Sequence, residues 1–427
     1  MTSGTAAVVV LAAGHSKRLR SEQPKVLHRV GGRPLVSWVV QAAREVGCSP
    51  ICVVVGSGAD QVRAVLEAED AGAGDIVWVE QPEQRGTGDA LSMARGALPS
   101  GLALVLSGDA PLVRPETLRA LLEAAGDGWG SLAVADDDTV PPREVNGGHY
   151  ALPVPEIFDW LEKVDAGNAQ GEFHLTDAVS AAAREHRVVA VRVEDASEVL
   201  GVNSHADLAA VQRVFYRRGV DALLAAGVTV LDPESVWIDA GVTVGVDSVL
   251  HPNVTLLGAS SVGSGCTIHT GAWLRDSVLD DGVEVLPYSV LDGARVASDC
   301  TIGPFARLRP EAVLEDGARV GNFVEVKKAT LGPGVKASHL AYLGDASVGA
   351  GANIGAGVIT CNYDGKKKSR TVIGEGAFVG SDCILVAPVE VGAGAYTGAG
   401  SVITKDVPEE TLAVGRARQK NIKRRPR

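Results

Sequence analysis

The sequence predicts two folds in series, an α/β domain with a mixed, mostly parallel sheet and then a parallel β-helix of hexapeptide repeats. Three observations carry this reading. Short apolar runs alternate with helical segments as far as about residue 204. Beyond residue 228 aliphatic residues recur at every sixth position. Across the chain, 51 glycines accompany only 4% aromatic residues, which suits tight turns around small aliphatic side chains.

The first half takes its strands from apolar runs. Ala7-Val-Val-Val-Leu11 is a buried strand that ends in Ala12-Ala13-Gly14. Leu35 to Val46 has helical spacing, and Ile51 to Val55 and Leu102 to Leu106 are further buried strands. Such strands, alternating with helices, imply a sheet covered on both faces. Ligands of these sheets bind at the carboxyl ends of the strands, which places Gly14 and Asp109 at that edge. From residue 205 to 227 the pattern turns helical. Leu208, Val211, Val214, Phe215, Leu223 and Leu224 can share one face of a connecting helix. The expected division is therefore 1–204, 205–227 and 228–427.

In the last segment Ile373, Val379, Leu385, Val391, Thr397 and Ile403 step by six without a miss. The same beat appears at Val320 and Val326, and at Val348, Ile354 and Thr360. Strands alternate with period two and helices repeat every 3.6 residues, so period six is neither. Six residues make one flat side and its corner, and eighteen make a triangular coil. Aliphatic side chains stack inside, and small residues turn the chain.

Charge and cysteine usage exclude some classes. The net charge of −12 argues against wholesale nucleic-acid binding. The basic residues after Arg416 are a local exception, readable as a solvated tail or as a contact to a cofactor's phosphates. The six cysteines form no CxxC pair and no zinc spacing, which reads as buried thiols in a reducing cytoplasm. The apolar run Ala6 to Ala13 is too short to span a bilayer.

Breaks in the repeat point to chemistry. Cys361 to Arg370 leaves the beat and reads as an extruded polar loop. Lys336 to Asp345 also departs from it and contains His339, whose imidazole suits a general base near neutrality.

These segments carry a resemblance. Arg307-Leu-Arg309-Pro, Asn322-Phe-Val-Glu-Val-Lys327-Lys, His339-Leu-Ala-Tyr342-Leu-Gly-Asp, Asn353-Ile-Gly-Ala356-Gly, Thr360-Cys-Asn362-Tyr363-Asp-Gly and Val379-Gly-Ser381-Asp occur in order. The chain closely resembles the bifunctional N-acetylglucosamine-1-phosphate uridylyltransferase / glucosamine-1-phosphate acetyltransferase family of bacteria. The resemblance implies a Rossmann-like nucleotidyltransferase domain and a left-handed sense for the β-helix. It implies a homotrimer with acetyl-transfer sites in the clefts between subunits, acting on small molecules in the cytoplasm. His339 would be the general base on the glucosamine amine. Arg309 and Lys327 would grip the sugar phosphate, while Tyr342, Asn353 and Lys368 would orient the sugar. Ala356, Asn362, Tyr363, Ser381, Ala399 and Arg416 would line the acetyl-CoA cleft, with Asn362 also positioning the amine. Ser381 has no evident partner base and is taken as a binding residue.

In the first half, Leu11-Ala-Ala-Gly14 and the following Arg18, Pro24 and Lys25 form a loop that can aim N–H groups and cations at a triphosphate. With Gln81-Pro-Glu-Gln84-Arg-Gly86-Thr87-Gly88 it resembles a sugar nucleotidyltransferase. The resemblance implies that Leu11, Ala12, Ala13, Gly14, Arg18, Lys25, Gln81, Gly86, Thr87, Glu144 and Asn168 contact UTP or the sugar. Asp109 and Asn203 would hold Mg²⁺ on the phosphates.

Two departures from the family pattern stand out. The loop reads Ser16-Lys17-Arg18 where the family carries Gly-Thr or Gly-Ser before its Arg. Ser131 to Arg143 replaces a longer stretch with a Gly-Tyr-Gly-Arg segment and a Val-Glu-rich strand. The shortening predicts that uridylyl transfer is weakened, lost or redirected to another sugar phosphate. Besides the ordinary bifunctional enzyme, two alternatives are therefore a specialised relative with altered uridylyl transfer and a non-catalytic trimeric scaffold.

Overall fold

Alternating apolar runs fold as expected into a seven-stranded sheet. In chain order its strands are Ala7–Leu11 (β1), Ile51–Val55 (β2), Ile76–Glu80 (β3), Gly101–Ser107 (β4), Trp129–Asp136 (β5), Arg143–Val154 (β6) and Val188–Arg192 (β7). Their order across the sheet is β3-β2-β1-β4-β6-β5-β7. All neighbours are parallel except that β6 runs antiparallel to both β4 and β5. Even-numbered Val8, Val10 and Leu104 pack into one core, and odd-numbered Val9 and Val105 into another, which Leu152 of β6 joins. Both faces are thus covered, which is why the strands read as continuous apolar runs. This computed structural model describes residues 6–14, 17–69, 73–136, 143–164 and 172–422.

The chain divides into two compact units, 1–215 and 216–427. The helix His205–Ala225 crosses that division. Val211 is buried in the first unit, while Val220 and Leu223 join the core of the second. The expectation that Leu224 shares this face fails, and Leu224 is exposed. It lies about 100° around the helix from Leu223, past the edge of the face that Val220 and Leu223 turn to the core.

The second unit is a triangular prism of parallel strands, in sheets of eleven, ten and nine. The first face begins at Thr229–Val230, the second at Trp237–Ile238 and the third at Thr243–Val244. Every residue of the six-residue beat named above is buried, from Val320 to Ile403. Two of them are polar. Thr360 Oγ1 accepts from Gly344 N–H at 2.8 Å, and Thr397 Oγ1 accepts from Gly380 N–H at 3.1 Å, so neither hydroxyl is left without a partner.

The expected eighteen-residue coil needs correction. Thr267 pairs with Glu284 and Glu284 with Thr301, so these coils have seventeen residues. The missing residue always falls between the second and third faces. There Leu274, Leu291, Val326 and Leu343 are followed by inward Leu279, Val296, Leu331 and Val348, one place early. The corner is closed by a left-handed residue, with φ of 48° at Asp276, 47° at Lys328 and 48° at Asp345. The extruded loop, Cys361 to Arg370, leaves the prism at this same corner.

Two candidate sites

At the carboxyl ends of β1, β3 and β4 the first unit holds a cavity of about 490 Å³. Leu11, Ala13, Gly14, Arg18, Lys25, Gln81, Gly86, Thr87, Asp109 and Asn203 line it. Gln84, Ser107 and Glu172 also line it, without a role assigned from the sequence; Gln84 stands in a motif already quoted, which was the available signal. Ala12 does not face the cavity but packs in the core. Asn168 and the side chain of Glu144 lie outside the described residues, as does Ser16.

Local folding places each group. Gln81 is buried, and its amide nitrogen donates to Gly86 O at 3.2 Å and Asp89 Oδ2 at 2.7 Å, which fixes the amide's orientation. Gly86 has φ of 109°, and a Cβ there would lie 2.4 Å from Phe173 O, so only glycine fits. The Asp109 turn is tied down by Gly108 N–H donating to Leu11 O and Val202 N–H donating to Asp109 O, each at 3.0 Å. Lys25 contacts Asp109, and its ammonium donates to Asn203 Oδ1 at 2.8 Å. Asp109 and Asn203 therefore turn two oxygens toward one cation position. That donor set fits a hard divalent ion that keeps its remaining positions for phosphate and water. Among the described residues no group of three or more His, Cys, Asp or Glu side chains could hold a metal.

Behind this turn lies His149, fully buried on β6, its Nδ1 accepting from Ser107 N–H at 3.4 Å. Burial drives its pKa down to about 4, against an opposing pull from Asp109. The imidazole is neutral near pH 7. Sequence reasoning missed it, since a lone histidine within a strand carries no motif.

In the prism, the corner between the first and second faces carries one column of site residues. Ala337, Ile354, Val379 and Thr397 stack in register, and His339, Ala356, Ser381 and Ala399 each lie two residues beyond. Asn322 stands one coil below His339 in the same column. Backbone bonds join its levels, with Asp382 N–H donating to Ala356 O at 2.7 Å and Gly400 N–H to Ser381 O at 2.8 Å. Arg416 follows on the last coil and is exposed. With strands about 4.8 Å apart, His339 to the Arg416 coil spans roughly 19 Å. His339 itself is exposed, and its Nδ1 lies 2.6 Å from Asn322 Oδ1.

A cationic group occupies the opposite edge of the second face, at the short corner. Arg309 Nη1 donates to Glu325 Oε1 at 2.8 Å, and Lys327 Nζ lies 3.7 Å from Asp345 Oδ2. Asn362 also donates to Asp345. Tyr342 is in register with Glu325, and its hydroxyl lies over Gly344, where a Cβ would come within 2.4 Å of it. Lys368 reaches Lys327 from the extruded loop, and the neighbouring ammonium holds the Lys368 pKa below the ordinary lysine range. The loop is a small hairpin. Tyr363 and Lys368 bridge it, and Asp364 Oδ1 accepts from the N–H groups of Lys366 and Lys367 at 2.8 Å.

One expected sugar residue is not with the others. Asn353 pairs with Lys336 and Phe378 on the first face, whereas Tyr342 and Lys327 belong to the second. Glu325 and Asp345, the carboxylates that hold the cations, received no role from the sequence, although they alternate with those cations in the quoted motifs. Five of the six free cysteines are buried as expected, and Cys361 beside the loop is only half-buried.

Comparison with known proteins finds three matching family models along the chain. A model of the MobA-like NTP transferase domain matches residues 8–225, one of the GMPPB C-terminal domain matches 233–338, and six bacterial transferase hexapeptide repeats match 370–405. The chain is 48% identical to the bifunctional protein GlmU of Anaeromyxobacter sp. (strain Fw109-5), over 97% of this chain and 91% of that protein. The identity is 45% to the protein of the same name from Alkalilimnicola ehrlichii, over 97% and 95%. For that from Pelobacter propionicus it is 42%, over 97% and 96%.

Proposed function

The chain belongs to the family of the bifunctional protein GlmU, and on that premise we propose how its residues divide the two reactions. The enzyme acetylates glucosamine 1-phosphate from acetyl-CoA. It also transfers uridylyl from UTP to N-acetylglucosamine 1-phosphate, giving UDP-N-acetylglucosamine and pyrophosphate.

The column ending at His339 carries the acetyl-transfer reading. Asn322 Oδ1 accepts the Nδ1–H of His339, which leaves Nε2 as the base. Nε2 takes a proton from the sugar ammonium. The freed amine attacks the thioester carbonyl, a C–N bond forms, the C–S bond breaks, and CoA leaves as thiolate, which takes up the second proton that the nitrogen sheds. Acetyl-CoA would run along the Ala356, Ser381 and Ala399 column with its phosphates toward Arg416, and Tyr363 and Asn362 would flank it from the loop of a second copy. Arg309, Lys327 and Lys368 would hold the sugar phosphate, and Tyr342 the sugar.

In the first unit the sugar phosphate attacks the α-phosphorus of UTP, and the bond to the β-phosphate bridge breaks. Gln81, Gly86 and Thr87 would hold the uracil end, with Arg18 and Lys25 on the triphosphate. Asp109 and Asn203 would hold Mg²⁺, which when bound offsets the phosphate charge. The expectation that the shortened segment weakens, abolishes or redirects this reaction gains no support. β5 and β6 still pair from Gly130↔Ala151 to Asp136↔Arg143, and the nucleotide residues still line one cavity.

A homotrimer is the assembly that supports the acetyl site best. Asn353 and Tyr342 stand on different faces of one prism, and His339 and Lys327 at opposite edges of one face, so a second copy set alongside would bring these groups to a single sugar. Tyr288, Phe305 and Phe323 add an exposed ladder of stacked rings, with centroids 5.5 Å apart, on the corner that leads to His339. We place the reactions in the cytoplasm, where the unpaired thiols stay reduced. Among the described residues no helix is long and apolar enough to cross a membrane.

A paired assay tests the reading. CoA release from acetyl-CoA and glucosamine 1-phosphate should appear alongside pyrophosphate release from UTP, Mg²⁺ and N-acetylglucosamine 1-phosphate. Silence in either arm removes the corresponding half.

A further inference from the structure

Lys25 occupies the one position that both proposed metal ligands face. Its ammonium contacts Asp109 Oδ2 and lies 2.8 Å from Asn203 Oδ1. Arg18 Nη2 donates to the same Asn203 oxygen at 3.1 Å. Both ligands are held from behind. Asn203 N–H donates to Asp207 Oδ2 at 3.0 Å, and the Asp109 carbonyl accepts from Val202 N–H. The backbone of Lys25 is also fixed, at the start of a short 3-10 turn whose Val26 and Leu27 are buried. Only the four-carbon lysine side chain is free to swing.

An ammonium and a dication cannot share this pair of oxygens, because like charges at that separation repel strongly in a partly desolvated cleft. The Lys25 and Asp109 side chains are only 12% and 21% exposed, so water screens the pair weakly. A triphosphate changes the balance. It offers Lys25 several anionic oxygens in the same cavity, and a lysine drawn to them uncovers Asp109 and Asn203.

We infer that Lys25 stands in for the metal at the uridylyl site and yields Asp109 and Asn203 only to an incoming triphosphate, so that the divalent cation enters with the nucleotide. The inference rests on the assignment of Asp109 and Asn203 as metal ligands. It makes metal and nucleotide binding mutually reinforcing, since each is favoured by the same movement of one side chain.

The test follows free Mn²⁺ by electron paramagnetic resonance as it is titrated into the full-length protein without nucleotide. The unsubstituted protein should bind Mn²⁺ weakly. Lys25→Met keeps the length of the side chain and removes its charge, and should show one Mn²⁺ site at least tenfold tighter. Lys25→Gln should do the same, which guards against a folding defect peculiar to one variant. Adding Asp109→Asn should erase the new site. Equal, weak Mn²⁺ binding in both Lys25 variants and the unsubstituted protein overturns the inference, and so does equally tight binding in all three. A tight site that survives Asp109→Asn overturns instead the ligand assignment beneath it.

Discussion

His339 Nδ1 lies 2.6 Å from Asn322 Oδ1, seventeen residues earlier and one coil below. The pairing repeats the logic by which a base is oriented through its second nitrogen. His339→Ala should lower acetyl transfer by roughly 10²- to 10⁴-fold, the usual worth of a positioned base. Asn322→Ala should cost less, because it loosens the ring without removing it. Release of CoA thiol measures both, and an unchanged rate in His339→Ala removes the base assignment.

Lys327 is held by Asp345 and faces Lys368, so its charge is available to an anion at the edge of the second face. Lys327→Met should raise KM for glucosamine 1-phosphate at least tenfold, consistent with about 1.5–3 kcal/mol for a hydrogen bond to a charged group. KM for acetyl-CoA should stay near its original value. Initial-rate kinetics with each substrate varied separately distinguish the two.

Burial of neutral His149 makes the first unit sensitive to acid. The imidazole titrates near 6.5 when unfolded and at about 4 when folded. Below pH 6.5 the unfolded chain therefore binds a proton that the native state refuses, and stability falls as the pH drops toward 4. The loss should approach roughly 3 kcal/mol. Burial and His205 lower the pKa of His28 too, which adds in the same direction. Urea unfolding of the protein and of His149→Leu at pH 7 and pH 4.5 checks this. The variant should lose much less stability on acidification.

Phe305 is the middle ring of the exposed ladder, about half exposed in the single chain. Phe305→Glu puts a charge where a second copy is proposed to pack. It should shift the protein to smaller species in light scattering and reduce acetyl transfer, while pyrophosphate release from UTP persists. A variant that stays trimeric and fully active would place the contact between copies elsewhere.

The prism was legible in the sequence because each coil must bury one side chain per face, and Ile373 to Ile403 obey that rule without exception. The buried Thr360 and Thr397 did not disturb the pattern, since the backbone satisfies their hydroxyls. The strand ends that carry Gly14 and Asp109 were equally plain, for apolar runs bounded by turns leave little else to form. Less was visible where three dimensions decide. That Asn353 and Tyr342 part company depends on which face each joins, and that follows from register and not from spacing alone. His149 gave no signal because a single polar residue within an apolar strand reads as a surface-facing position. The seventeen-residue coil escaped notice because only one corner in three loses a residue.

That corner has a consequence for how such a protein can change. Each coil closes on the one below through its own ladder, so a residue gained or lost between the second and third faces leaves the other two ladders undisturbed. The prism tolerates insertion and deletion there as a spiral stair tolerates a wider landing. Arg309, Lys327, Asp345 and the extruded hairpin all stand on that landing. The pocket for the acyl acceptor can thus be reshaped by chain length alone, a route open to natural drift and to deliberate engineering without repacking a single interior side chain.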